Sequence, residues 1–197
     1  MKTIKKNITN EIIINKSRFI TKLIKINNEE EVKNKLDFLK KEYKDATHHC
    51  YAYITGNVKR FNDDGEPGGT AGMPILNVLE NNNLTNILAV VIRYFGGIKL
   101  GAGGLVRAYT KAITECLNNI EIVNLTNGIN FKIEFSYDFV KKFDNILKDA
   151  KITYKEYDNN IIYECSLTIE NFEKIKKELE TNSLNLEILN ETLVEID

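Results

Sequence analysis

Cysteine is scarce in this chain of 197 residues, and long apolar runs are missing altogether. The three cysteines, Cys50, Cys116 and Cys165, are odd in number, far apart and set in apolar surroundings. No C-x-x-C pair occurs, so a disulfide framework or a cysteine zinc site finds no support, and reduced, buried thiols are expected. The longest purely aliphatic run, "ILAVVI" at 87–92, is far too short to span a bilayer. The opening "MKTIKKNITNEIII" has charge but no apolar stretch followed by small residues, so no signal peptide is expected. Together these absences point to a cytoplasmic protein with no membrane partner. The two histidines are neighbours, His48 and His49, and two alone cannot complete a usual histidine zinc site. Neither G-x-x-x-x-G-K-[ST], a Ser-His-Asp spacing nor a G-x-S-x-G elbow appears. No cofactor or resident metal is expected.

What is present is an ordinary globular composition, 43% hydrophobic and 28% charged, with a net charge of −1. That charge is unevenly spread. Residues 1–122 carry 18 Lys and Arg against 13 Asp and Glu, a balance of +5; residues 123–197 carry 9 against 15, a balance of −6. The asymmetry suits an anionic partner for the first part, or mutual attraction of the two halves; solvated faces that happen to differ are the plainer alternative.

Periodicity gives a coarse map. Residues 12–26 read as one or two strands, and a helix follows from Asn28 with Val32, Leu36, Leu39 and Tyr43 at helical intervals. "HHCYAYIT" at 48–55 is a strand candidate and 62–73, with four glycines and a proline, a loop. Pro74 suits the first turn of a short helix. "NILAVVIRYF" at 86–95 reads as a central strand buried on both faces, and Leu105, Ala108, Tyr109, Ala112, Ile113 and Cys116 form a helical stripe. Beyond 123 come a strictly alternating strand at 129–136, a helix at about 137–150, a hairpin turning at "NN" 159–160, a helix at about 171–182 and a closing strand. The order β-α-β-β-α-β is that of the ferredoxin-like unit. The fold class expected is α+β in two domains, 1–122 and 123–197.

Five of the 11 glycines fall within nine positions, 96–104. Such a loop before a helix lets backbone N–H groups converge where the helix dipole adds partial positive charge, with Lys99 and Arg107 close in sequence. A phosphate or other anion would fit; a tight turn needing positive φ is the structural alternative. In "GAGGLVR" the last glycine of G-x-G-x-x-G is replaced by Val106, so the dinucleotide fingerprint fails. A second glycine-rich loop, "FNDDGEPGGTAGMP" at 61–74, carries Asp63, Asp64 and Glu66. Paired carboxylates can hold Mg²⁺ or act as acid and base, but Asp side chains bonding nearby backbone N–H groups are the simpler reading. On a strand, His48 and Cys50 share a face that His49 does not; a packed strand histidine is the simpler reading, a proton donor or RNA-stacking group the other. Tyr94, Phe95 and Tyr109, beside basic residues, could stack on bases.

"DDGEPGGTAGMPILNVLE" followed by "AVVIRYFGGIKLGAGGLVRAYTKAI" closely resembles the signature of the IMPACT/YigZ family, and "ATHHCYAY" and the tail fit its bacterial members. The resemblance implies a ribosomal-protein-like first domain resembling domain four of elongation factor G, and a second resembling its domain five. It carries Arg93, Gly96, Gly97, Lys99, Gly101, Gly103, Gly104 and Arg107 over as a contact surface for nucleic acid or another anion. Asp63, Asp64, Glu66, Thr70 and Gly72 carry over as a facing loop; His48 and His49 are further contacts expected from the strand reading above, not from the resemblance. Many members have serine where this chain has Gly68, which leaves Thr70 as the nearest hydroxyl. The eukaryotic members restrain a stress-response kinase in translation control and carry an extra N-terminal domain. This chain is expected to start directly at the family core, so that partnership is not carried over.

The leading expectation is a non-enzymatic, translation-associated protein contacting RNA or the ribosome, with no DNA partner. A Mg²⁺-dependent enzyme acting on a phosphorylated small molecule is the second reading, and a protein-interaction module the third.

Overall fold

The computed structural model describes residues 1–196. The chain divides into two compact units, Met1–Asn124 and Leu125–Asp197.

The first unit contains β1 (Lys2–Ile4), β2 (Ile8–Ile14), β3 (Ser17–Lys25), α1 (Glu29–Glu42), β4 (His48–Thr55), β5 (Val58–Asn62), α2 (Gly72–Asn81), β6 (Ile87–Tyr94), α3 (Gly101–Leu117) and the start of β7 (Ile122–Phe135). Its sheet runs β2-β3-β6-β4-β5. β1 pairs with the first residues of β7, Ile4 opposite Ile122. The one or two strands expected at 12–26 are a hairpin, turned at Asn15 and Lys16, both at positive φ.

β6 sits at the centre, antiparallel to β3 and to β4, and its pleat serves two cores. Ile87, Ala89 and Val91 pack with α2 and α3 residues such as Leu79 and Tyr109, while Leu88, Val90 and Ile92 pack with Val32 and Leu39 of α1. The expected burial on both faces is therefore met by an antiparallel strand with helices on either side. α1 starts at Asn28, whose side chain accepts from the Glu31 N–H at 3.1 Å. Asn28 and Glu31 have the spacing of a capping box, but only this half forms, because Glu31 Oε1 accepts from Asn27 instead.

Two boundaries differ from the expectation. α2 begins at Gly72, two residues before Pro74, and α3 begins at Gly101, inside the stretch read as loop. The first turn of a helix needs no intrahelical N–H partners, so a glycine-rich segment there loses little and escapes a propensity reading. β5 was also missed: apart from Val58 its residues are exposed, so it shows no apolar alternation.

The second unit holds the rest of β7, a 3₁₀ turn (Tyr137–Phe139), α4 (Val140–Ile146), β8 (Lys151–Tyr157), β9 (Ile161–Thr168), α5 (Ile169–Asn182) and β10 (Asn185–Ile196). The strand order is β10-β7-β9-β8. Its core gathers Phe131, Ile133, Phe135, Phe143, Tyr163 and Phe172. The helix expected over 137–150 is shorter, broken into the 3₁₀ turn and α4. α5 is capped by Thr168, whose Oγ1 accepts from the Asn171 N–H.

Candidate functional site

The sheet brings the end of β6 beside the start of β4, with Arg93 paired to His48. Alternation points both side chains, with Cys50, toward the α2 and α3 side, and His49 to the other. Above them stand the β5–α2 loop and the start of α3. Together these segments enclose a pocket of about 420 Å³ lined by His48, Glu66, Arg93, Phe95, Lys99 and Leu105, among others.

Arg93 departs from the expected surface contact. It is 4% exposed, and its Nη1 donates to Glu66 Oε1 at 2.5 Å. Nη2 donates to Ser17 Oγ at 3.3 Å, and the guanidinium carbon lies 5.4 and 5.5 Å from the Phe19 and Phe95 ring centres. A guanidinium at the end of an apolar strand needs such a partner, since burying it alone costs several kcal/mol. Tyr109 Oη donates to the same Glu66 oxygen at 2.8 Å. Cys50 Sγ lies 3.3 Å from that hydroxyl and 3.0 Å from the Asp63 carbonyl oxygen. Burial pushes the Cys50 thiol up to about 12 and raises Tyr109 too, so neither ionises near neutrality.

The acidic loop does not gather its carboxylates. Asp63 Oδ1 accepts from the N–H groups of Ala71 and Gly72, and Oδ2 from Gly69, so it caps α2 from a distance. Asp64 Oδ2 accepts from the His49 N–H at 2.6 Å, and Glu66 faces Arg93. Among the described residues no three His, Cys, Asp or Glu side chains converge as a metal-binding set. The Thr70 hydroxyl donates to the Pro67 carbonyl oxygen at 2.6 Å, so it is not a spare nucleophile. Burial lowers the pKa of His49, opposed by Asp64 and assisted by Lys40.

The glycines separate into two kinds. Gly96 is required by close approach: a Cβ there would lie 2.0 Å from the Lys16 backbone, in the β2–β3 turn. Gly97 and Gly101 have φ of +85° and +70°, which L side chains rarely adopt. Gly103 and Gly104 lie in the first turn of α3, where no side chain caps the helix. Lys99 and Arg107 are exposed, with no carboxylate partner among the described residues, and Arg107 Nη1 reaches to 3.6 Å from a Cβ built on Gly103. Two cations thus flank an uncapped helix start, an arrangement suited to an anion.

Residues 15–117 match the Impact N-terminal domain. The chain belongs to the IMPACT family. This IMPACT-family chain is 40% identical over 188 residues to the IMPACT family member YvyE of Bacillus subtilis (strain 168), covering 93% of this chain and 82% of that one. It is 35% identical over 161 residues to the IMPACT family member YigZ of Escherichia coli (strain K12), covering 78% and 79%. A crystal structure of a hypothetical protein aligns with a TM-score of 0.66 at 31% identity, covering 96% of this chain and 97% of that one. In this IMPACT-family chain every site residue named above lies inside the matched 15–117. Sequence reasoning missed Ser17 and the roles of Tyr109 and Cys50 around Glu66. One signal was available: an arginine inside a strand read as buried needs an acid, and Glu66 is the carboxylate nearest the apolar "TAGMP".

Proposed function

We propose that this chain is a translation-associated binding protein that contacts RNA or the ribosome through the face of its first unit around the start of α3. The observation that carries this is the pair Lys99 and Arg107, exposed and without carboxylate partners among the described residues, beside an uncapped helix N-terminus. Together they offer an anion two charges and a set of backbone donors. The +5 balance of residues 1–122 supports the same reading. Arg93 is left out of the contact set because it is buried against Glu66.

We read the domains as 1–122 and 123–197. The first is ribosomal-protein-like, resembling domain four of elongation factor G; the second is ferredoxin-like, resembling domain five, a reading supported by its strand order β10-β7-β9-β8. The setting is the cytoplasm, where three unpaired, buried thiols stay reduced. No helix among the described residues is long and apolar enough to cross a membrane.

Co-sedimentation with ribosomes over a salt series tests this, with a Lys99→Ala/Arg107→Ala variant checked for folding alongside. Salt-sensitive binding by the wild type, lost in the variant, is expected. No binding at any salt overturns the reading.

A further inference from the structure

The pocket at the start of α3 is floored by two side chains that can accept hydrogen bonds, Glu66 and His48. Glu66 has only 4% of its side chain exposed. Its Oε1 takes both donors, Arg93 and Tyr109, and no hydrogen bond reaches Oε2 among the described residues. His48 supplies a second acceptor. Its Nδ1 lies 2.8 Å from the Asp64 carbonyl oxygen, which can only accept, so Nδ1 carries the ring hydrogen. In the tautomer with its hydrogen on Nδ1, Nε2 is an acceptor, 3.9 Å from Glu66 Oε2. These two acceptors, one oxygen and one nitrogen, stand side by side in the pocket lining, the oxygen on a side chain more than nine-tenths buried. An occupant that brings N–H donors completes the floor.

The rest of the lining narrows the class of occupant. Leu100 and Leu105 give apolar walls, and the Phe95 ring is 45% exposed, open to stacking. Lys99 and the first N–H groups of α3 border the same space and favour an anion. A volume of about 420 Å³ lies in the range that holds a small ligand.

We propose that this pocket takes one nucleotide unit whose base carries an exocyclic amino group. The base stacks on Phe95, the amino group donates to His48 Nε2 and Glu66 Oε2, and the phosphate lies at Lys99 and the start of α3. Uracil is disfavoured, because it has no amino group: its one ring N–H can serve a single acceptor, and the flanking carbonyl oxygens are set against the other. This inference rests on the RNA reading above and specifies what that face selects. The same chemistry could come from a free nucleotide or from an unstacked residue of single-stranded RNA.

The chain has no tryptophan, so Phe95→Trp places a single indole at the exposed edge of the pocket. Its fluorescence is followed on titration with AMP, CMP and UMP, then with single-stranded oligo(A) and the oligo(A)·oligo(U) duplex. Equilibrium dialysis of labelled AMP against the unsubstituted protein gives the same comparison without the reporter. AMP and CMP are expected to bind at least about tenfold more tightly than UMP, as expected for a well-formed base contact. His48→Leu is expected to reduce that ratio toward one, and Lys99→Ala to weaken AMP but not adenosine. Oligo(A) binding more tightly than AMP, and failing as duplex, assigns the site to RNA; AMP binding as tightly as oligo(A) assigns it to free nucleotide, and both support the pocket. Equal binding of UMP and AMP overturns it. So does a lack of mononucleotide binding while salt-sensitive ribosome binding persists, an outcome that leaves the ribosome reading standing.

Discussion

Arg93 and Glu66 hold the site together at the scale of single residues. Their side chains are 5% and 4% exposed, so each charge depends on the other for its solvation. Arg93→Met leaves the Glu66 carboxylate buried without its cation, and urea unfolding is expected to show a loss of about 3–5 kcal/mol. Adding Glu66→Gln to that variant should recover part of the loss, because the uncompensated charge is gone. A single-variant loss below about 1 kcal/mol would mean that the pair does not support the site. The family resemblance marked both residues but placed Arg93 at the surface. Charge type is legible in a sequence; its burial is decided by the register that sets Arg93 opposite His48.

Among the elements, β6 was legible and the start of α3 was not. A continuous apolar run with an ordinary strand length identifies β6 whatever surrounds it. At α3, five glycines hid a helical turn, because their reasons for being glycine lie partly elsewhere in the chain. Gly96 answers to the β2–β3 turn, which is 80 positions away in sequence and whose Lys16 backbone occupies the space a side chain would need. Gly96→Ala is therefore expected to displace that turn and cost about 1–3 kcal/mol, measured by thermal or urea unfolding. A neutral result would show that the hairpin yields without strain. The acidic loop was better read: Asp63 bonds backbone N–H groups, as its turn-like setting suggested, though the group it serves is the start of α2.

Over the whole molecule, pH acts through His49. Its folded-state pKa lies below the ordinary value of 6.5, chiefly because it is buried. Below that ordinary value the unfolded chain takes a proton that the folded chain resists, so stability falls with pH until the folded-state pKa is passed. Above about 6.5 this contribution is flat. Denaturation followed from pH 8 to pH 5 should show the decline beginning near 6.5, and His49→Gln should diminish it. An unchanged profile in the variant would assign the acid sensitivity to other groups.

The uneven charge, +5 over residues 1–122 against −6 over 123–197, was legible from the start, but not which cations stand unpaired. Lys99 and Arg107 were marked by the glycine-rich stretch, but that they stand exposed beside an uncapped helix start shows only once α3 is seen to begin at Gly101. The most direct measurement is the salt dependence of binding to a single-stranded RNA oligonucleotide, wild type against Lys99→Ala/Arg107→Ala. If both side chains neutralise phosphates, the logarithmic slope becomes shallower by about 1.4 in the variant, roughly 0.7 for each phosphate no longer neutralised. Identical slopes for the two proteins would contradict a phosphate-contacting role for this face.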